Sequence, residues 1–190
     1  MKSLSRAIAV VATVVATVTG CGGSGSDDES RPGAATHSST VKPAGGDTIT
    51  ADGFSYTVPE DWKESPQSTL LSLAFDSEPT KGFRSSVNVV SDDTIVGYHS
   101  EKLEKAVKKV LNNIKASDVT IRDRTEIDGE EAVHSAAVMD MNGNKYRIEQ
   151  FGVEHDGRGY FVTVSFHPSI PEPERDEVSE SILTTWKWDS

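Results

Sequence analysis

Cysteine is almost missing from this chain: Cys21 is the only one in 190 residues. No intramolecular disulfide can brace the fold, so its stability must come from burial and hydrogen bonding. Long hydrophobic runs are missing too. The longest, residues 7–18, covers about 12 positions and is broken by Thr13 and Thr17, well short of the ~20 apolar residues a membrane-crossing helix needs. Positive charge is scarce, with 19 Lys and Arg against 30 Asp and Glu and a formal net charge of −11. Such a balance excludes nucleic acid as a natural partner and disfavours anionic headgroups. Catalytic signatures are also lacking. There is no Gly-x-Ser-x-Gly elbow and no phosphate loop or dinucleotide fingerprint. The histidines His37, His99, His134, His155 and His167 show no zinc-like spacing. Asp140-Met141-Asn142-Gly143-Asn144 places its glycine too early for a calcium loop. No cofactor and no metal are expected.

What is present begins with an address. Lys2 and Arg6 precede the short apolar run, and Thr19-Gly20 supplies small residues at its end, the layout of an export signal. Val18-Thr19-Gly20-Cys21 resembles the lipobox of bacterial lipoproteins. The resemblance implies cleavage between Gly20 and Cys21, an S-diacylglycerol thioether on the Cys21 sulfur and an N-palmitoyl group on its new amine. A thiol is the strongest common side-chain nucleophile, and small neighbours let enzymes reach it. Acyl chains at about 0.8 kcal/mol per buried methylene would hold the chain on a membrane, extracytoplasmic side outward. Cleavage removes Lys2 and Arg6 and no acid, leaving 17 basic against 30 acidic residues, about −13 with neutral histidine.

The composition then divides the chain into residues 1–20 (signal peptide), 21–47 (lipidated cysteine and tether) and 48–190 (folded domain). Residues 22–46 are rich in Gly, Ser, Asp, Ala, Thr and Pro. They hold too little apolar surface to offset their ordering entropy, so a leash is expected there. In the domain, strands 48–51 and 54–58 flank Asp52-Gly53, a two-residue hairpin signal. Strands are expected at 70–75 and 83–90. A helix is expected over 100–115, with Ser100 as N-cap and Leu103, Val107, Val110, Leu111 and Ile114 on one face. Glu101 with Lys105 and Glu104 with Lys108 should form i,i+4 pairs. Its five lysines, Lys102, Lys105, Lys108, Lys109 and Lys115, give a locally basic outer surface. A strand at 119–124, a turn at Asp128-Gly129, and long strands joined by Asn142-Gly143 and Asp156-Gly157 make a meander. A shift of apolar parity between Tyr146/Ile148 and Phe151/Val153 suggests a bulge near Gln150. After Pro168, Pro171 and Pro173 comes a second helix over 174–185. The whole is an α+β fold, an antiparallel β-sheet with helices packed on it.

The opening Phe54-Ser55-Tyr56-Thr57-Val58-Pro59-Glu60-Asp61-Trp62 and the closing Ile182-Leu183-Thr184-Thr185-Trp186-Lys187-Trp188 resemble the PsbP-like family, an α/β sandwich. With the lipobox and acidic leash, the likeness is strongest to its LpqN- and DcrB-type bacterial lipoproteins. The resemblance implies a final helix at 182–188, no shared catalytic machinery, and a role as a binding or accessory module. Trp62, Tyr98, Tyr146, Phe151, Trp186 and Trp188 are the candidates for a ligand groove between sheet and helix. The expected partners are the membrane through the lipid anchor and an envelope protein or amphiphilic envelope molecule, with a monomeric chain. Two other readings stay open. One is an envelope hydrolase with a non-sequential acid–base site, and the other is a structural spacer.

Overall fold

In the computed structural model, residues 41–65 and 69–189 are described. Cys21, the expected signal and most of the expected tether lie outside them. The elements follow in order: β1 (Thr48–Ala51), β2 (Phe54–Thr57), β3 (Trp62–Glu64), β4 (Ser72–Asp76), β5 (Ser86–Ser91), a 3-10 turn at Asp93–Ile95, α1 (Ser100–Asn113), β6 (Ser117–Ile121), β7 (Thr125–Ile127), β8 (Glu130–Met141), β9 (Asn144–His155), β10 (Arg158–Phe166), α2 (Glu172–Leu183) and β11 (Lys187–Trp188). The expected α+β architecture is the observed one. An eight-stranded sheet runs β3-β4-β5-β10-β9-β8-β6, with β7 paired to β8, and a small sheet runs β1-β2-β11.

Turn chemistry fixes the meander. Asp128-Gly129, Asn142-Gly143 and Asp156-Gly157 all have both residues at positive φ (45° and 92°, 55° and 85°, 46° and 73°). That is the type I′ geometry whose twist matches antiparallel strands. The long β8, β9 and β10 that they join pair without interruption from Val133↔Gly152 to Met141↔Asn144 and from Arg158↔His155 to Phe166↔Arg147.

No bulge exists at Gln150. The parity change arises because this sheet is buried on both faces, so apolar residues occur at both parities. The irregularity lies instead in β6, between Ser117 and Thr120, where Asp118 has φ 52°.

One face of the large sheet carries α1. Leu103, Val107 and Leu111 pack there with Val133, Ala137 and Ile148, and Tyr98, Tyr146, Met139 and Phe161 join them. Gly152 makes room for this layer: a Cβ on it would sit 2.8 Å from a Phe161 ring carbon and 3.3 Å from Leu103. The other face carries α2 and the small sheet, around Phe54, Tyr56, Trp62, Phe151, Val162, Ile182 and Trp186.

Three boundaries differ from expectation. His99, not Ser100, is the N-cap of α1, and Ser100 Oγ turns instead to Glu131. The predicted final helix stops at Leu183, and Lys187–Trp188 pair with β2 as a strand. Residues 44–47, read as the end of the tether, are bonded to the domain. Ala44 N–H donates to Ser181 O at 2.9 Å, and Gly46 N–H donates to Val58 O at 2.8 Å. A Cβ at Gly46 would sit 2.4 Å from Pro59 O, so only glycine permits that approach.

Candidate functional site

The six aromatic candidates do not share a groove. The large sheet separates them, because neighbouring strand positions point to opposite faces. Trp62, Phe151 and Trp186 are buried in the α2-side core, with Trp188 packed against it, whereas Tyr98 and Tyr146 lie on the α1 side. Trp186 is 1% exposed and stacks on Tyr56 at 5.1 Å and on Phe54 at 4.6 Å. Trp188, although nearly terminal, is half-buried. Its indole N–H donates to Ile127 O at 3.0 Å, and its ring stacks on His155 at 4.5 Å.

Of the six, Tyr98 lines a depression in the surface. This depression, of about 340 Å³, opens at the N-terminal end of α1, between that helix and the ends of β8 and β9. Ile95, Leu103 and Val133 make its apolar floor, and Glu130, Glu131, Glu154 and Asp156 its acidic rim. Three of the four rim carboxylates are held by neighbours. Glu130 Oε1 lies 2.9 Å from His155 Nδ1, and Glu154 Oε2 accepts from Gly97 N–H at 2.6 Å. Glu131 accepts from Ser100 Oγ and, at 3.4 Å, from Arg124. Through Glu130 and His155 the rim connects to the Trp188 stack. A concave site with an apolar floor and oriented negative groups suits an amphiphilic or basic group better than a neutral polar one.

A second polar cluster is buried beneath α2. Glu149 is 0% exposed. Its Oε1 accepts from Arg175 Nε at 2.8 Å, and its Oε2 lies 2.9 Å from His134 Nε2 and 3.5 Å from Arg122. Arg122 also makes a bidentate bond to Asp176 at 2.7 and 2.8 Å, and Arg175 donates to Ile170 O at 2.8 Å. Burial raises the Glu149 pKa, but hydrogen bonds from His134 and Arg175 outweigh it and hold the carboxyl below its ordinary value. His134 is mostly buried here and stacks on Phe151 at 4.3 Å. Each charged group of this cluster faces an opposite charge, and Arg175 with Glu149 ties α2 to β9. The one signal for it in the sequence is a glutamate at a core parity in the middle of a long strand.

No family model matches this chain, and no curated protein does. Solved structures do. The crystal structure of LpqN, described as involved in cell envelope biogenesis of Mycobacterium tuberculosis, aligns at TM-score 0.53 with 12% identity over 81% of this chain and 88% of that one. The solution structure of cyanobacterial PsbP from Synechocystis aligns at 0.45 with 13% identity over 73% and 88%. A Bacteroides thetaiotaomicron protein aligns at 0.47 with 14% identity, covering 72% of this chain but only 45% of that one. The shared feature with LpqN is the fold. Among the described residues, no helix is long and apolar enough to cross a membrane.

Proposed function

We propose that this chain is a lipid-anchored accessory domain on the outer face of a bacterial membrane, held there by acyl groups on Cys21. It acts by binding, without catalysis, and engages an envelope protein or an amphiphilic envelope molecule. The observation that supports this reading is the depression beside Tyr98, with its apolar floor and three of its four carboxylates already held by Gly97, Ser100, Arg124 and His155. Carboxylates held in this way present a fixed negative rim to a bound group. The lipobox-like run at Cys21 supplies the location.

Two measurements test it. Metabolic labelling with a palmitate analogue should mark the parent and leave Cys21→Ala unlabelled; equal labelling removes the anchor. A photo-cross-linking residue at Tyr98, in intact cells, should capture a defined envelope component that the same residue at the exposed, distant Ser169 does not. Equal capture at both positions, or turnover in a panel of ester and glycoside substrates, would count against a non-catalytic binding role.

A further inference from the structure

The outward side of α1 gathers basic groups that no acid neutralises. Several basic residues elsewhere are paired where they stand: Arg122 with Asp176, Arg158 with Asp52, Lys63 with Asp47 and Lys187 with Asp128. On α1 neither expected i,i+4 pair closes. Glu104 turns to Arg124 at 2.7 Å, which leaves Lys108 without it. Lys102, Lys105, Lys108, Lys109 and, just beyond the helix, Lys115 are all exposed. Among the described residues none of the five has a carboxylate within ion-pair distance. Lys102 instead rests its ammonium 3.6 Å from the Tyr98 ring centroid. Lys42, Lys81, Arg84 and Lys145 also stand without a carboxylate partner among the described residues, Lys81 and Arg84 on either side of the Thr80/Phe83 turn, but none of them belongs to a row of five.

We propose that this lysine face docks on the anionic lipid leaflet to which the chain is anchored. The inference rests on the anchored reading above. Lys102, Lys105 and Lys109 fall at i, i+3 and i+7, and Lys108 and Lys115 adjoin them, so the strip runs about 20 Å along one side of the helix. Juxtamembrane lysines on such a helix are attracted by phosphatidylglycerol-type headgroups and fade from influence beyond a Debye length. That length is about 8 Å at physiological salt. Glu101 and the carboxylates Glu130, Glu131, Glu154 and Asp156 stand at the N-terminal end of α1, near Lys102, so the attraction is carried by Lys105, Lys108, Lys109 and Lys115 further along the helix.

Reach is sufficient. The chain joins the domain at Ala44, which bonds to Ser181 on the α2 side, opposite α1. Between Cys21 and Ala44 lie about 22 residues, whose maximum span is about 75 Å. Three stacked layers at about 10 Å spacing are shorter than that, so an anchor at Cys21 permits α1 to face the leaflet.

The test uses the full-length lipidated protein on vesicles of phosphatidylcholine alone, or with about a third phosphatidylglycerol. An amine-reactive ester is added briefly, and modification is read lysine by lysine by mass spectrometry. Lys105, Lys108 and Lys109 should react at least about three-fold more slowly on the anionic vesicles, while Lys42, Lys81 and Lys145 should not change. The protection should vanish at about 1 M salt. In the variant Lys105→Gln/Lys108→Gln/Lys109→Gln, protection of Lys102 and Lys115 should vanish as well. Equal reactivity on the two vesicles overturns the proposal. So does protection that appears without vesicles and grows with protein concentration, which would mark self-association. Failure to float even with neutral vesicles would sink the anchored reading itself, and the docking with it. Flotation without protection sinks the docking alone.

Discussion

The two faces of the eight-stranded sheet are built from different materials. On the α2 face, rings close the core: Phe54, Tyr56 and Trp186 lie nearly parallel, and Tyr160 and Trp188 pack edge-on or tilted against them. A buried carboxylate with two guanidinium partners and a histidine locks α2 down. On the α1 face a single amphipathic helix packs mainly through Leu103, Val107 and Leu111 onto Val133, Ala137 and Ile148, with Tyr98, Tyr146 and Phe161 only partly buried around them. That helix leaves a depression at one end and unpaired lysines outside. The ring-packed, ion-locked side is the more tightly cross-braced of the two.

Truncation should expose this asymmetry most strongly. Trp186→Ala removes a ring stacked on two others and should cost about 3–5 kcal/mol in denaturant unfolding. Val107→Ala, buried on the other face, should cost about half that or less. Equal losses would erase the distinction.

Next in size is the ion cluster. Glu149→Gln leaves the buried Arg175 guanidinium without its charge partner and should cost about 3–5 kcal/mol at neutral pH. Because the folded-state pKa of Glu149 is lowered, its contribution is present above the unfolded value of about 4.3 and is lost as pH falls through the folded one. The parent should therefore lose stability in acid, and the variant should lack that part of the slope. A parallel offset at every pH would mean that the carboxylate's charge is not what binds α2.

Tyr56 makes a smaller test at the opposite end of the pH scale. Burial pushes its phenol up to about 12, against the hydrogen bond with Ser72 at 3.0 Å. The folded state disfavours the phenolate, so stability is intact below the unfolded pKa of about 10 and falls as pH rises from there toward 12. Tyr56→Phe should flatten that alkaline limb and cost about 1 kcal/mol at neutral pH for the lost bond. An unchanged alkaline limb would place the titrating group elsewhere.

The same contrast explains what could be read from the residues alone. Local signals were legible. The three Asp-Gly and Asn-Gly turns of the meander, the stripe Leu103/Val107/Leu111 and the alternation Tyr160/Val162/Val164/Phe166 all rest on period and turn chemistry. The α+β class follows from their order. What was not legible depends on which residue meets which across the sheet. Phe151 and Tyr146 both look like groove residues, yet their opposite parity sends them to opposite faces. Glu149 and Arg175 are 26 positions apart, and no spacing rule joins them. Glu104 has two acceptable basic neighbours, and only the position of β6 and the loop after it favours Arg124 over Lys108.

The smallest expected effect lies where the two helices end. α2 finishes at Thr184 with right-handed backbone, φ −66°. α1 ends in a Schellman motif: Ala116 N–H reaches Leu111 O, Lys115 N–H reaches Asn112 O, both at 3.0 Å, and Lys115 sits at φ 61°. A lysine in that left-handed conformation carries roughly 1 kcal/mol of strain that glycine does not. Part of the relief is offset by the greater freedom glycine brings to the unfolded chain. Lys115→Gly should therefore stabilise by about 0.5 kcal/mol, seen as slower amide exchange in the last turn of α1 and none in α2. It also deletes one lysine of the strip at a place where the fold gains from the change. Slower exchange in α1 together with weaker protection of Lys102 on anionic vesicles would separate what that face does for the fold from what it does for the membrane, whereas unaltered exchange would show that the left-handed lysine stores no strain.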